Sequence, residues 1–162
     1  MNLKHISKWI NQNDMEGVLC NKKIKSWLLE QGPITERIKS KHKFELKLLR
    51  DSVGEVDINE RYFLNNIDGE VKVREVILLA DKNPLVFARS LIPKVTIQNG
   101  LKKLGELNTK PLGDILFEKG VFKKDQVVFS TFSQNKKEYW GRKAKYYVKN
   151  YPLSVMEIFL IQ

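Results

Sequence analysis

A chain of 162 residues that is 42% hydrophobic suits one compact domain, 1–162, with a substantial core. Its net charge of +10, from 29 Lys+Arg against 19 Asp+Glu, favours an anionic partner: nucleic acid, an anionic membrane or a small polyanionic metabolite. The lone Cys20 excludes an intrachain disulfide, apolar runs such as "VILLA" and "IFLI" fall far short of the roughly 20 residues that span a bilayer, and "MNLKHISKWINQ" lacks the apolar core of a secretory signal, so the expected setting is cytoplasmic.

In chain order, "NKKIKSWLLEQGPITERIKS" carries Ile24, Trp27 and Leu28 at helical spacing, breaks at Gly32-Pro33 and starts a second helix at Ile34. A DNA-reading pair needs a longer and better patterned second helix, so two packing helices are the preferred reading. From "KFELKLLRDSVGEV" onward the period shortens towards two, and "VKVREVILLA", "LVFARSLIP", "DQVVFSTFSQ" and "SVMEIFLI" read as strands. "ADKNPL" is a hairpin turn between the first two. Helical spacing returns in "GLKKLGELNTKPLGDILF", where Pro111 suits the first turn of a short helix. "KKEYWGRKAKYYVKNY" interleaves basic and aromatic residues, a pattern that could stack on single-stranded nucleic acid but is more ordinarily an amphipathic strand pair. The sum is an antiparallel sheet with helical excursions, an α+β fold.

Strand parity puts Lys72, Arg74, Val76, Leu78 and Ala80 on one face and Val71, Val73, Glu75, Ile77 and Leu79 on the other. If Ala80 pairs with Leu85 across the hairpin, Arg89 joins the Arg74 face; a one-residue slip sends it to the other. In the last strand Glu157 shares a face with Leu153, Val155 and Phe159. A carboxylate so placed needs a partner or a proton. Two readings stand: an Arg74–Glu157 ion pair that holds the core, or an internal anion site. His5 and His42 are far apart and Cys20 stands alone, so no metal-ligand spacing or His-assisted nucleophile appears. Neither G-x-G-x-x-G nor a P-loop is present, so no nucleotide cofactor is indicated.

Through "WLLEQGPITERIK", "VREVILLADKNPLVFARSLIP", "LGELNTKPLGDILF" and "YWGRKAKYYVKNYPLSVMEIFL" the chain resembles the chorismate lyase family. The resemblance implies a single antiparallel sheet with helical flaps over an internal ligand pocket. It also implies cofactor-free conversion of chorismate to 4-hydroxybenzoate and pyruvate on the way to ubiquinone. The family's carboxylate-binding arginine falls on Arg74, its acidic residue at the product hydroxyl on Glu157, and its two apolar flap positions on Ile34 and Leu112, the first of which is usually methionine. Arg89 matches a further family arginine and is the candidate for the enolpyruvyl carboxylate; the residue before it, commonly glycine, is Ala88. The implied partners are chorismate and 4-hydroxybenzoate, with no nucleic acid or membrane insertion, and the chain is read as a monomer. The rival reading is a non-catalytic sensor for small aromatic acids, related to the ligand-binding domains of GntR-type regulators. Those normally follow a winged-helix domain, for which a resemblance beginning near residue 27 leaves no room.

Overall fold

The computed structural model describes residues 1–162. Seven strands form one antiparallel sheet: β1 (Lys4–His5), β2 (Phe44–Gly54), β3 (Val71–Ala80), β4 (Asn83–Pro93), β5 (Lys123–Gln134), β6 (Lys137–Val148) and β7 (Tyr151–Phe159), in the spatial order β1-β5-β6-β7-β4-β3-β2. Five short helices accompany them: α1 (Gln12–Val18), α2 (Lys22–Leu28), α3 (Ile34–Lys39), α4 (Ile58–Phe63) and α5 (Gly113–Leu116). The fold is α+β, as the periodicity predicts.

Local chemistry explains the boundaries. Asn11 and Asn21 cap α1 and α2 by accepting from the backbone N–H groups of Asp14 and Ile24 at 2.8 and 3.0 Å. Asp57 and Glu60 form a reciprocal capping box on α4, a helix absent from the sequence reading. Three hairpins turn on two residues each, Asp81-Lys82, Asn135-Lys136 and Lys149-Asn150, all with φ between 47° and 68°. Such left-handed pairs match the twist of the strands they join.

The stretch 101–117 is less helical than its spacing suggests: only Gly113–Leu116 is α-helix, with Pro111 just before it, preceded by tighter and wider single turns at 96–105. The first hairpin is also tighter than "ADKNPL" implies. Ala80 pairs with Asn83 and Leu79 with Pro84, but the next pair is Leu78 with Val86, which leaves Leu85 as an extra residue in β4. Pro84 has no N–H for the ladder, and the Leu85 carbonyl accepts from the Leu160 N–H on the β7 side at 2.8 Å. This bulge shifts everything downstream by one. Arg89 lies opposite Glu75, and Arg74 lies opposite Ser90.

Apolar residues pack on both faces. On one, Met15, Leu28, Ile34 and Ile38 from the helices cover Val76, Val86 and Phe159, and a neighbouring cluster joins Leu104, Leu112 and Leu116 to Ile92 and Leu153. On the other, Ile77, Phe87, Phe132 and Ile158 form a smaller cluster beside Trp9 and Leu3.

Candidate active site

Between the two helix-side clusters the sheet and the flaps enclose a cavity of about 60 Å³. Its floor comes from alternate positions of three adjacent strands: Arg74, Val76 and Leu78 of β3, Ala88 and Ser90 of β4, Val155 and Glu157 of β7. Its roof comes from Ile34 and Thr35 at the start of α3 and from Leu112 just before α5, all buried. Four of the five residues singled out in the sequence therefore line one cavity: Ile34, Arg74, Leu112 and Glu157. Arg74 and Glu157 stand two strands apart, roughly 10 Å sideways, because Ala88 and Ser90 of β4 lie between them.

Arg74 is 2% exposed. Burial is the main influence on its guanidinium and lowers its pKa, with Asp51 opposing. Nη1 donates to Asp51 Oδ2 at 3.2 Å and to the Asn108 carbonyl at 2.8 Å, and Nη2 donates to the Lys110 carbonyl at 2.8 Å. Asp51 Oδ1 faces Lys72 Nζ at 3.1 Å as an ion pair, outside hydrogen-bonding angles. An arginine carries five N–H donors. Three are engaged, which leaves the Nε–H and one Nη2–H uncommitted, two donors on the fork that suits a carboxylate.

Glu157 is half-buried and its partner is Arg142, not Arg74. Arg142 lies directly across β6 from it and donates from Nε to Glu157 Oε1 at 2.9 Å. The same guanidinium donates from Nη1 to the Leu28 and Glu30 carbonyls at 3.0 and 2.7 Å, tying the carboxylate to the turn between α2 and α3. The core-holding Arg74–Glu157 pair is thus replaced by two separate pairs, each with its own partner. Beside Arg142, Gly141 lies in a tight place, since a Cβ there would crowd the Glu157 carbonyl and the Phe132 ring at 3.0 Å. Tyr146, also on the cavity wall, is pushed up to about 12 by burial and by the Glu157 charge, so it remains a neutral phenol. The Thr35 hydroxyl is buried, lines the cavity and has no hydrogen-bond partner.

Arg89 does not reach this cavity. The bulge puts it on the far face, where Nε and Nη2 grip Glu60 at 2.9 and 3.1 Å and Nη1 donates to Glu75 at 3.3 Å. Burial lowers its pKa, but the carboxylates of Glu60 and Glu75 more than offset this and raise it. The expected shared patch with Arg74 is corrected accordingly. Arg142 and Thr35, absent from the sequence reading, take places in the site. Arg142 was accessible in principle: reading Lys149-Asn150 as a two-residue turn pairs Val148 with Tyr151 and, with no slip, Arg142 with Glu157.

No group of three or more His, Cys, Asp or Glu side chains converges as a metal site, and no helix is long and apolar enough to cross a membrane. A family model described as chorismate lyase matches residues 3–162. A probable chorismate pyruvate-lyase from Psychromonas ingrahamii is 31% identical, with 91% of this chain and 87% of that protein covered. One from Pseudoalteromonas atlantica is 28% identical over 94% of this chain and 85% of its own length. Among solved structures, a GntR-family transcriptional regulator from Enterococcus faecalis shares the fold with a TM-score of 0.52 at 12% identity, covering 75% of this chain and 93% of that one. A second regulator, from Bacillus cereus, gives the same score over 72% and 91%.

Proposed function

The chain belongs to the chorismate lyase family, and from that premise we propose that it converts chorismate to 4-hydroxybenzoate and pyruvate, the first step toward ubiquinone. The observation that carries the reading is the pairing of ends in one flap-covered cavity: Arg74 with two free donors at one end, Glu157 at the other. Arg74 holds the ring carboxylate through its free fork. Glu157, oriented by Arg142, accepts from the ring hydroxyl. Thr35 gives its unpartnered proton to the bound molecule. With Arg89 on the far face, the enolpyruvyl carboxylate falls to Arg142, whose Nη2 keeps two N–H donors.

The chemistry asks little else of the protein. The bond from ring C3 to the ether oxygen breaks, the hydrogen at C4 leaves as a proton, and its electron pair completes the aromatic ring. The departing enolpyruvate gains a proton at its methylene carbon and becomes pyruvate. Aromatisation supplies the driving force, so positioning and proton handling are the enzyme's share. A cavity of about 60 Å³ has room for about five waters, the scale of the ring product, so the ether-linked substrate requires the flaps bearing Ile34 and Leu112 to part. With this reading go a single domain, a cytoplasmic setting, a monomer and no cofactor.

The test is to mix the protein with chorismate and quantify both products. Equal amounts of 4-hydroxybenzoate and pyruvate, formed with turnover, support the reading. Tight 4-hydroxybenzoate binding without conversion would instead make the chain a sensor.

A further inference from the structure

The face of the sheet opposite the Arg74 cavity holds a much larger groove, about 720 Å³ and half-open, within the size range of small-molecule sites. Its floor is apolar, from Phe87 of β4, Val128 of β5, and Met156 and Ile158 of β7, and its walls are the N-terminal segment with Trp9 and α4 with Phe63. Lys143 of β6 stands in this floor between Val128 and Met156. Its ammonium lies 4.2 Å from the Trp9 ring centroid and 4.3 Å from that of Phe63.

What sets Lys143 apart is what it lacks. Two residues on, Lys145 donates to Asn65 Oδ1 at 3.0 Å and faces Asp125 at 3.9 Å. The three N–H groups of Lys143 meet no protein acceptor; ring faces and the open side of the groove surround them. Cation–π contact offsets part of the lost hydration but satisfies no hydrogen bond. Burial accordingly lowers its pKa to about 8, with Glu60 and Asp57 opposing too weakly to restore it. An ammonium half removed from water, without an acceptor, at the wall of an amphipathic groove calls for an oxygen anion brought by a ligand.

The rest of the groove limits that ligand's charge. Arg89 is charge-paired to both Glu60 and Glu75, and Asp57 accepts the Glu60 N–H. Three carboxylates therefore gather beyond Lys143 with one arginine to balance them, and a second negative charge would be repelled. We propose that this groove binds an amphipathic monocarboxylate, its apolar body on Phe87, Met156 and Ile158 and its carboxylate accepting from Lys143. The site is separate from the Arg74 cavity and stands whether or not the lyase reading does.

Titration of the isotope-labelled full chain with sodium octanoate, octan-1-ol and octanedioate tests this, following the backbone amides of Phe87, Met156 and Ile158. Octanoate should saturate those shifts and bind at least about tenfold more tightly than the alcohol or the diacid, the scale of one charge-assisted hydrogen bond. Lys143→Met should bring octanoate down to the alcohol's affinity, and Lys143→Arg should largely restore it. The wild type supplies an independent readout that needs no variant. Octanoate affinity should fall as pH rises from 7 to 9.5 and Lys143 loses its proton, while octanol affinity stays level. Over that range His5, its pKa lowered by burial and by Lys143, stays neutral, and Arg89, its pKa raised by its carboxylate partners, stays charged; the other charged side chains lining the groove are Asp57, Glu60 and Glu75. Equal affinities for octanoate and octanol, an unchanged Lys143→Met, a flat pH profile, or shifts clustered on Val76, Ala88 and Val155 of the other face would each overturn the assignment.

Discussion

Arg74 and Arg89 sit on neighbouring strands, one on each face of the same sheet, and their surroundings assign them opposite work. Arg74 is the more deeply buried, yet its protein partners, Asp51 and two loop carbonyls, take only three of its five donors. Arg89 is more open, yet Glu60 grips it side-on and Glu75 takes its remaining nitrogen. Residue type alone would rank the two alike as anion binders. Each keeps two of its five donors, so what separates them is which edge is open and what faces it: Arg74 keeps its Nε–H free with one carboxylate nearby, whereas Glu60 takes the Nε edge of Arg89, a second carboxylate takes Nη1, and the side chain closes the capping box of α4 onto the sheet. A related distinction separates Lys145, hydrogen-bonded to Asn65 and facing Asp125, from Lys143, which has no hydrogen-bond or ion-pair partner.

The sharpest way to break that contrast is to remove each arginine in turn. Arg74→Ala should weaken 4-hydroxybenzoate binding by roughly 2–4 kcal/mol, the loss of a buried bidentate pair. Arg89→Met should leave that affinity within about threefold, but lower stability by roughly 1–2 kcal/mol, because Glu60 and Glu75 lose their shared partner in a partly solvated setting. Calorimetric titration and chemical denaturation of both variants give the four numbers. Loss of product binding in Arg89→Met would mean that the far-face arginine serves the site after all.

Next in size is the Arg142–Glu157 pair. Arg142→Met leaves a half-buried carboxylate alone and two flap carbonyls without a donor, which should cost roughly 2–3 kcal/mol of stability and reduce kcat by more than tenfold. Glu157→Gln keeps the shape with far less loss of stability. Full turnover in Glu157→Gln would exclude proton transfer by this side chain and leave it an orienting role alone.

How much of this was legible in the sequence depends on where the ladder is regular. β7 and β3 run without interruption through their central residues, so period-two parity sorted Arg74 from Glu75 onto opposite faces, while both faces being apolar left the choice of the inward one to the family resemblance; the helical spacing around Gly32-Pro33 located the helix that carries Ile34. Arg89 went astray because a single bulged residue, Leu85, inverts parity for the rest of β4. A bulge leaves no period of its own, though Pro84, unable to donate to the ladder, was a hint. Arg142 was hidden for another reason. In "YWGRKAKYY" both faces carry cations, and only the Lys149-Asn150 turn registers which of them meets Glu157. Asp51 and the carbonyls of Asn108 and Lys110, which decide how many Arg74 donors remain free, come from 23 to 36 residues away in sequence. No local pattern reports them.

The flaps are specific to the Arg74 face, and trimming one should affect only that face. Leu112→Ala is expected to loosen 4-hydroxybenzoate by about tenfold, the usual scale for a buried leucine's contact area, with little change in single-turnover cleavage. Rapid-quench kinetics beside product titration distinguish the two. Slower cleavage with unchanged product affinity would make Leu112 part of the reaction geometry instead of the lid.

On the far face, Lys143→Met should raise stability at pH 7 by roughly 1 kcal/mol, since it removes an unpartnered ammonium from a partly desolvated groove. The sign of its pH dependence follows from the lowered pKa. Between about 8 and 10.5 the unfolded chain holds a proton on Lys143 that the folded one has lost, so the wild type gains stability as pH rises through that window. Lys143→Met should lack that gain. Denaturant midpoints at pH 7, 8.5 and 10 measure it, and identical slopes for both proteins would show that Lys143 is fully solvated.

The smallest effect concerns the turn that fixes both arginines. Asp81 and Lys82 have φ of 49° and 67°, a left-handed pair that suits glycine or asparagine better than lysine. Asp81 contributes more than its backbone, accepting from the Lys43 N–H at 2.8 Å and holding His42 Nδ1 at 2.6 Å, so it should be kept. Lys82→Gly relieves the strain of the second position while adding freedom to the unfolded chain, and the two largely cancel. A net gain of about 0.5 kcal/mol is expected in denaturation, with product affinity unchanged because the register below the turn is set by the Leu85 bulge and not by residue 82. If Lys82→Gly instead altered 4-hydroxybenzoate binding, the turn and the bulge would be coupled. The separation of the two arginines onto opposite faces would then depend on the tip of the hairpin as much as on its interior.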